Sequence, residues 1–226
     1  MKKIIILTLL FFSCTDKKLN SETITSDSLS IYLNLANQDT VSYKNKISYT
    51  NRAFEILQSQ ENDSLNRKNL FKVANRYYNN SSFEKFKKVT SIILEKSSTE
   101  KDSQNIAKAF SYLGDYYAYK IKNDSAFFYY NKAEEIYFKL NDSTNLGGAY
   151  ISKATVQNNE NDFLVGESSA IKALNVLRSS TNKEKIYEAY NILGVISYNL
   201  KNYKESIKYH TKALNFAKEN KLSIYH

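Results

Sequence analysis

The sequence predicts an all-α fold, a solenoid of antiparallel helix pairs, and three observations carry that reading. The first is a ladder of small residues. Gly114, Ala154 and Gly194 stand 40 residues apart, as do Ala53, Ala133, Ala173 and Ala213, with Ile93 the one larger member. Self-similarity at periods of about 20–50 residues marks units that bury their apolar faces against their neighbours. The second is a polar ladder at the same spacing: Asn62, Asp102, Asp142 and Asn182, residue types that start helices. The third is composition. The 226 residues include no Pro and five Gly, which fits continuous helix because Pro removes a backbone donor and clashes with the preceding turn. The negative mean hydropathy excludes a polytopic membrane protein.

Residues 1–13 read as a signal peptide. Lys2 and Lys3 precede an apolar run from Ile4 to Phe12, and such a helix rises only about 14 Å, half a bilayer core. It is an export signal rather than a membrane anchor. The stretch LLFFSC, Leu9 to Cys14, resembles the lipobox of bacterial lipoproteins. The resemblance implies that Cys14, the only cysteine, is the lipid attachment site. An ordinary secretory signal with an incidental cysteine is the alternative. Thr15 follows Cys14 where an Asp implies inner-membrane retention in that family, so the expected location is the cell envelope, with the outer membrane favoured. Residues 14–25 are polar and read as a flexible tether.

Residues 26–226 divide at the repeat period into five units, 26–60, 61–100, 101–140, 141–180 and 181–226. The first is diverged but keeps Ile47, Ala53, Phe54, Ile56 and Leu57. The second keeps Val73, Ala74, Tyr77, Phe83, Phe86 and Ile93, and carries a basic excess: nine Lys or Arg against three Glu from Arg67 to Lys101. That excess reads first as a solvated face, with an acidic partner or anionic headgroups as the functional alternative. Removing Lys2 and Lys3 leaves 30 basic and 23 acidic residues, near +7. In the third unit Phe110, Leu113, Gly114 and Tyr117 share one helical face, extended by Ile106 and Ile121. Asn123-Asp124-Ser125 is expected to break the helix. A second helix carries Ala126, Phe127, Tyr130, Ala133, Ile136 and Tyr137, with the small residues expected to bring the two helices close. The fourth unit keeps Tyr150, Ala154, Phe163, Gly166, Ala170, Ala173 and Leu174, although Lys153 and Gln157 sit at apolar positions. The fifth keeps Tyr190, Leu193, Gly194, Tyr203, Ile207, Ala213 and Leu214. Thr181 to Glu184 reads as a capping box, and Thr99 to Asp102 as a weaker one.

The set Phe110, Leu113, Gly114, Tyr117, Ala126, Tyr130 and Ala133 is similar to the signature of the tetratricopeptide repeat (TPR). The resemblance covers residues 26–226, with a 40-residue unit in place of the usual shorter one. It implies a right-handed superhelix whose first helices line a concave face. Projected onto this sequence, the concave candidates are Tyr78, Ala118, Asn158 and Tyr198 in one column, and Asn79, Tyr119, Asn159 and Asn199 in the next. The first helices add Asp115 and Asn191. Asn offers a donor and an acceptor to an extended peptide backbone, and Tyr offers apolar area with a polar tip. The bland alternative is that these Asn residues end helices.

Nothing in the sequence points to catalysis. His210 and His226 have no partners at metal spacing, and His210 reads as a packing residue. Gly147-Gly148 stands without a phosphate-cradling motif. The expectation is a binding module with no cofactor and no metal: a protein or peptide partner in the groove, a membrane reached through the N-terminal lipid, and no nucleic acid. Leu222 to His226 resembles the opening of another helix, so self-association through an uncapped end is expected. The alternative is the extracytoplasmic sensor region of a longer signalling protein, a histidine kinase or a DNA-binding regulator.

Overall fold

A computed structural model describes residues 21–223. The signal peptide, Cys14 and most of the tether lie outside these residues. Ten helices follow one another: α1 (Ser21–Leu35), α2 (Tyr43–Gln58), α3 (Ser64–Asn79), α4 (Phe83–Thr99), α5 (Ser103–Tyr119), α6 (Asn123–Lys139), α7 (Ser143–Asn159), α8 (Phe163–Leu177), α9 (Lys183–Asn199) and α10 (Tyr203–Glu219). They form an all-α solenoid. Helix α1 begins inside the stretch read as tether, so residues 21–25 are helical rather than loose chain. Among the described residues no helix is long and apolar enough to cross a membrane.

Each helix packs on the next. In addition α5 touches α7, and α7 touches α9. Helices α5, α7 and α9 therefore form a continuous inner wall, and α3 lies beside α5 on the same side. The small-residue ladder lies at the seams: Ala53, Ile93, Ala133 and Ala173 are fully buried and Ala213 nearly so. Each apolar face is covered by the neighbouring unit, so the core runs the length of the molecule as linked clusters.

The joints repeat more often than the pairs do. Ser81, Lys101, Ile121, Asn141, Asn161, Lys201 and Lys221 all have φ between 50° and 64°, and they fall 20 residues apart except for a gap at position 181. At each, the next residue's N–H reaches back five residues, as in Ser82 to the Tyr77 carbonyl and Lys122 to the Tyr117 carbonyl. This is the Schellman termination, which satisfies carbonyls left free at a helix end. Ile121 is consequently outside α5 and 81% exposed, not on the buried face expected of it. Asn123-Asp124-Ser125 opens α6 rather than breaking α5.

The gap falls between α8 and α9. There Arg178 stays right-handed. The Ser180 hydroxyl accepts from the Asn182 N–H at 3.1 Å and shares a hydrogen with Thr144 at 2.8 Å.

From α3 onward helix starts divide by layer, whereas the outer helix α2 is capped by Ser42. Asp63, Asp102, Asp142 and Asn182 each accept from the N–H three residues on, capping α3, α5, α7 and α9. Such caps contribute about 0.5–2 kcal/mol each. The helices α4, α6, α8 and α10 have no side-chain cap. Two expectations change here. Asn182, not Thr181, caps α9, so the capping-box reading gives way to a plain Asn cap; likewise Asp102, not Thr99, caps α5. In the second unit Asp63 caps α3, and Asn62 donates instead to the Lys96 carbonyl at 2.9 Å.

The off-pattern residues of α7 are satisfied rather than disruptive. Gln157 accepts from the Ser169 hydroxyl at 2.7 Å. Lys153 reaches Asn131 at 2.8 Å and Glu134 at 2.6 Å.

Gly114 does not serve to bring two backbones together. A Cβ there would collide with the edge of the Tyr130 ring, so the glycine makes room for an aromatic. Gly194 does the same for His210, whose Cε1 would lie 2.6 Å from an added Cβ. Close backbone approach occurs instead in the α7–α8 pair, where a Cβ on Gly166 would sit 3.3 Å from the Ala154 carbonyl oxygen.

Candidate functional site

The inner wall encloses a cavity of about 350 Å³ near its middle. Four helices of the wall contribute to it: α3 through Tyr78; α5 through Asp115, Ala118 and Tyr119; α7 through Ile151, Ser152, Thr155 and Asn159; and α9 through Lys185 and Glu188. Tyr130 enters from behind, from α6.

Asp115 is partly buried among these groups. Its Oδ1 accepts from the Tyr130 hydroxyl at 2.9 Å. Tyr130 is 2% exposed, and the missing Cβ of Gly114 is what lets its ring reach this far. Burial pushes the Asp115 carboxyl up to about 6, against smaller downward pulls from the Tyr130 hydrogen bond and from Lys185. The Tyr130 phenol is pushed up by burial and then by the negative Asp115. Tyr78 is raised for the same two reasons, burial first. Desolvation and a nearby like charge both disfavour ionisation of these groups.

The two exposed tyrosines are held in place by neighbouring rings. Tyr119 stacks on Phe83 with centroids 3.5 Å apart. Tyr78 meets Phe83 and Phe86 edge-on, at 5.6 and 5.1 Å. On the opposite wall Lys185 is ion-paired with Glu188 at 2.7 Å. Among the described residues no cation lies within ion-pair distance of Asp115.

Of the residues projected from the sequence, the cavity brings together Tyr78, Asp115, Tyr119 and Asn159. Asn79 is exposed at the end of α3, beside Tyr78 and outside the cavity lining. Asn158 and Asn199 satisfy each other, Asn199 Nδ2 donating to Asn158 Oδ1 at 2.7 Å. Tyr198 is 61% exposed and meets Tyr203 edge-on at 5.5 Å. Asn191 faces the His210 ring, Oδ1 to Nδ1 at 3.1 Å. His210 is exposed rather than packed inside.

The Asn ladder is therefore not a continuous free row. Asn79, Asn159 and Asn199 are also the last residues of their helices, as expected of Asn near turns. Sequence reasoning missed Tyr130, Ser152, Thr155, Lys185 and Glu188. The only signal for Tyr130 was its pairing with Gly114, since a glycine opposite an aromatic marks a ring passing between helices. Among the described residues no group of His, Cys, Asp or Glu could hold a metal ion.

The architecture has solved counterparts. Aspartyl phosphate phosphatase F from Bacillus subtilis superposes with a TM-score of 0.72 at 14% identity, covering 87% of this chain and 49% of the phosphatase. BtubC from P. vanneervenii superposes with a TM-score of 0.63 at 12% identity, covering 90% of this chain and 92% of that protein. The TPR-like repeats of a kinesin light chain from Podosopora anserina give 0.61 at 8% identity, over 89% and 98%. The chain has a TPR-like fold. At these identities the likeness concerns the fold alone. No family model matches the chain, and no curated protein matches it in sequence.

Proposed function

We propose that this chain is a non-enzymatic scaffold that holds a protein or peptide in its inner groove, tethered to the bacterial cell envelope, with the outer membrane favoured, through a lipid on Cys14. The observation that carries the binding half is the cavity between α3, α5, α7 and α9, where two exposed tyrosines and several polar side chains meet on helices. Sites of this kind combine apolar area with a few placed polar groups, and tyrosines contribute contact area at little entropic cost. The anchoring half is supported by the sequence LLFFSC alone. The stack also exposes Ile207 and Leu214 on α10, 68% and 45% accessible, which supports a second copy docking end-on.

A photo-crosslinking amino acid tests the groove. Placed at Tyr119, it should form adducts with envelope proteins in cells, while the same group at Phe138, exposed on α6, should form none of them. Equal adducts from both positions would move the binding surface elsewhere. Fatty-acid labelling that persists in Cys14→Ala would remove the lipid anchor from the proposal.

A further inference from the structure

We propose that the groove selects a partner through a single cationic side chain, an arginine or lysine, seated between Asp115 and the faces of Tyr78 and Tyr119. This rests on the groove being the binding surface and names the chemistry it recognises.

Three observations converge on it. Asp115 is a carboxylate placed in a cavity, partly desolvated, held by one neutral donor, the Tyr130 hydroxyl on Oδ1. A buried carboxylate without a cation is a costly arrangement in a folded protein. Lys185 relieves it only in part, as a charge at longer range, because its Nζ is bound to Glu188 at 2.7 Å. The second observation is the flanking pair of rings. Tyr78 and Tyr119 are 41% and 53% exposed and line the same cavity. Their negative faces attract a cation, most strongly where it is desolvated. The third is size. A volume of about 350 Å³ accommodates a long side chain with part of its backbone, and Ser152, Thr155 and Asn159 rim it with hydrogen-bonding groups.

A cation entering this cavity gains the carboxylate and both rings at once. A neutral isostere gains only apolar contact and leaves the carboxylate unpaired, so discrimination is built in. Binding also requires Asp115 ionised. The ionisable groups facing Asp115 are Tyr78 on α3, Tyr112 on its own helix, Tyr130 and Tyr137 on α6, and Lys185 with Glu188 on α9. The four phenols stay neutral across the range that matters, because each is raised above its ordinary value. Affinity should therefore fall as pH drops through the Asp115 midpoint near 6.

The probes are two blocked pentapeptides, acetyl-Ala-Ala-Arg-Ala-Ala-amide and its citrulline twin, titrated into the full soluble chain and followed by backbone NMR. The arginine peptide should shift the amides of Ala118, Ser152 and Thr155 and bind roughly tenfold or more tightly than the citrulline peptide. Asp115→Asn should abolish that difference while the fold, read from the rest of the spectrum, is unchanged. Equal binding of the two peptides in the groove overturns the cation reading and leaves the groove reading standing. Arginine preference that survives in Asp115→Asn also overturns it. Absence of shifts with either peptide, together with loss of the Tyr119 adducts, overturns both.

Discussion

The α5–α6 pair and the α9–α10 pair are built on the same register, 80 residues apart, and differ in what covers them. Gly114 opposes Tyr130 in the first, and Gly194 opposes His210 in the second. Tyr130 is 2% exposed and bonds Asp115, whereas His210 is exposed and bonds Asn191. Where the first pair has Asp115, the second has Val195. The interior pair is roofed by α7 and reached by α9, so its aromatic is locked and its carboxylate desolvated. The last pair has no later helix over it among the described residues. One local design thus yields a buried aromatic on a desolvated carboxylate in one place and an exposed ring beside an Asn in the other, and neighbours decide which.

The largest expected break in this comparison is at the glycines. Gly114→Ala drives a methyl into a locked ring, an overpacking cost of about 1–3 kcal/mol, offset by about 1 from helix preference. Gly194→Ala meets a ring free to swing toward solvent, so the helix preference dominates and the protein is unchanged or slightly more stable. Urea unfolding of the two variants checks this, and equal losses would show that His210 is as confined as Tyr130.

The second contrast concerns Asp115 itself. Its native carboxyl lies near 6 against an ordinary 3.8, so the native state holds the proton more tightly than the unfolded state. Stability contributed by that proton is present below about 3.8 and is lost as pH rises through about 6. Asp115→Asn removes the penalty and should stabilise the protein at neutral pH by about 1–2 kcal/mol, after allowance for partial exposure. Melting curves between acid and neutral pH should show a decline in the wild type that flattens in the variant. A variant less stable than wild type at neutral pH would mean that the carboxylate is structural.

The smallest effect lies in the joints. Ile121 is β-branched and left-handed at φ 54°, and its counterpart Lys201 is at φ 62°. A left-handed L-residue costs roughly 1–2 kcal/mol, and branching at Cβ adds to it. Ile121→Gly should raise the thermal midpoint more than Lys201→Gly does. The reverse order would place a stabilising contact on the Ile121 side chain.

Which of these features the sequence discloses follows from their physics. Helix pairs are legible because burial on one face imposes a period on Gly114, Ala154 and Gly194. The polar starts at Asp102, Asp142 and Asn182 are legible because capping demands a short acceptor. The joints are not, because glycine is the usual sign of a left-handed helix end and Ser, Lys, Ile and Asn stand there instead. Part of the groove is legible for a related reason. Tyr78, Asp115, Tyr119 and Asn159 follow from register, but the direction of the Tyr130 hydroxyl depends on how α6 packs on α5, and the meeting of Lys185 and Glu188 with Asp115 across the groove depends on how successive units stack. The mutual bond of Asn158 and Asn199 depends on the same stacking, and no single repeat contains it.

The left-handed joints carry one more consequence. Because the same turn closes inner and outer helices alike, the backbone does not record which layer a helix belongs to; side chains alone do. The chain thus obeys a parity rule. Duplication of two successive helices lengthens the wall and keeps every later face in place. Duplication of one would turn every later helix from the inner layer to the outer, as a one-residue slip inverts a strand. A chain built of 20-residue steps is in this sense free to grow only by forties.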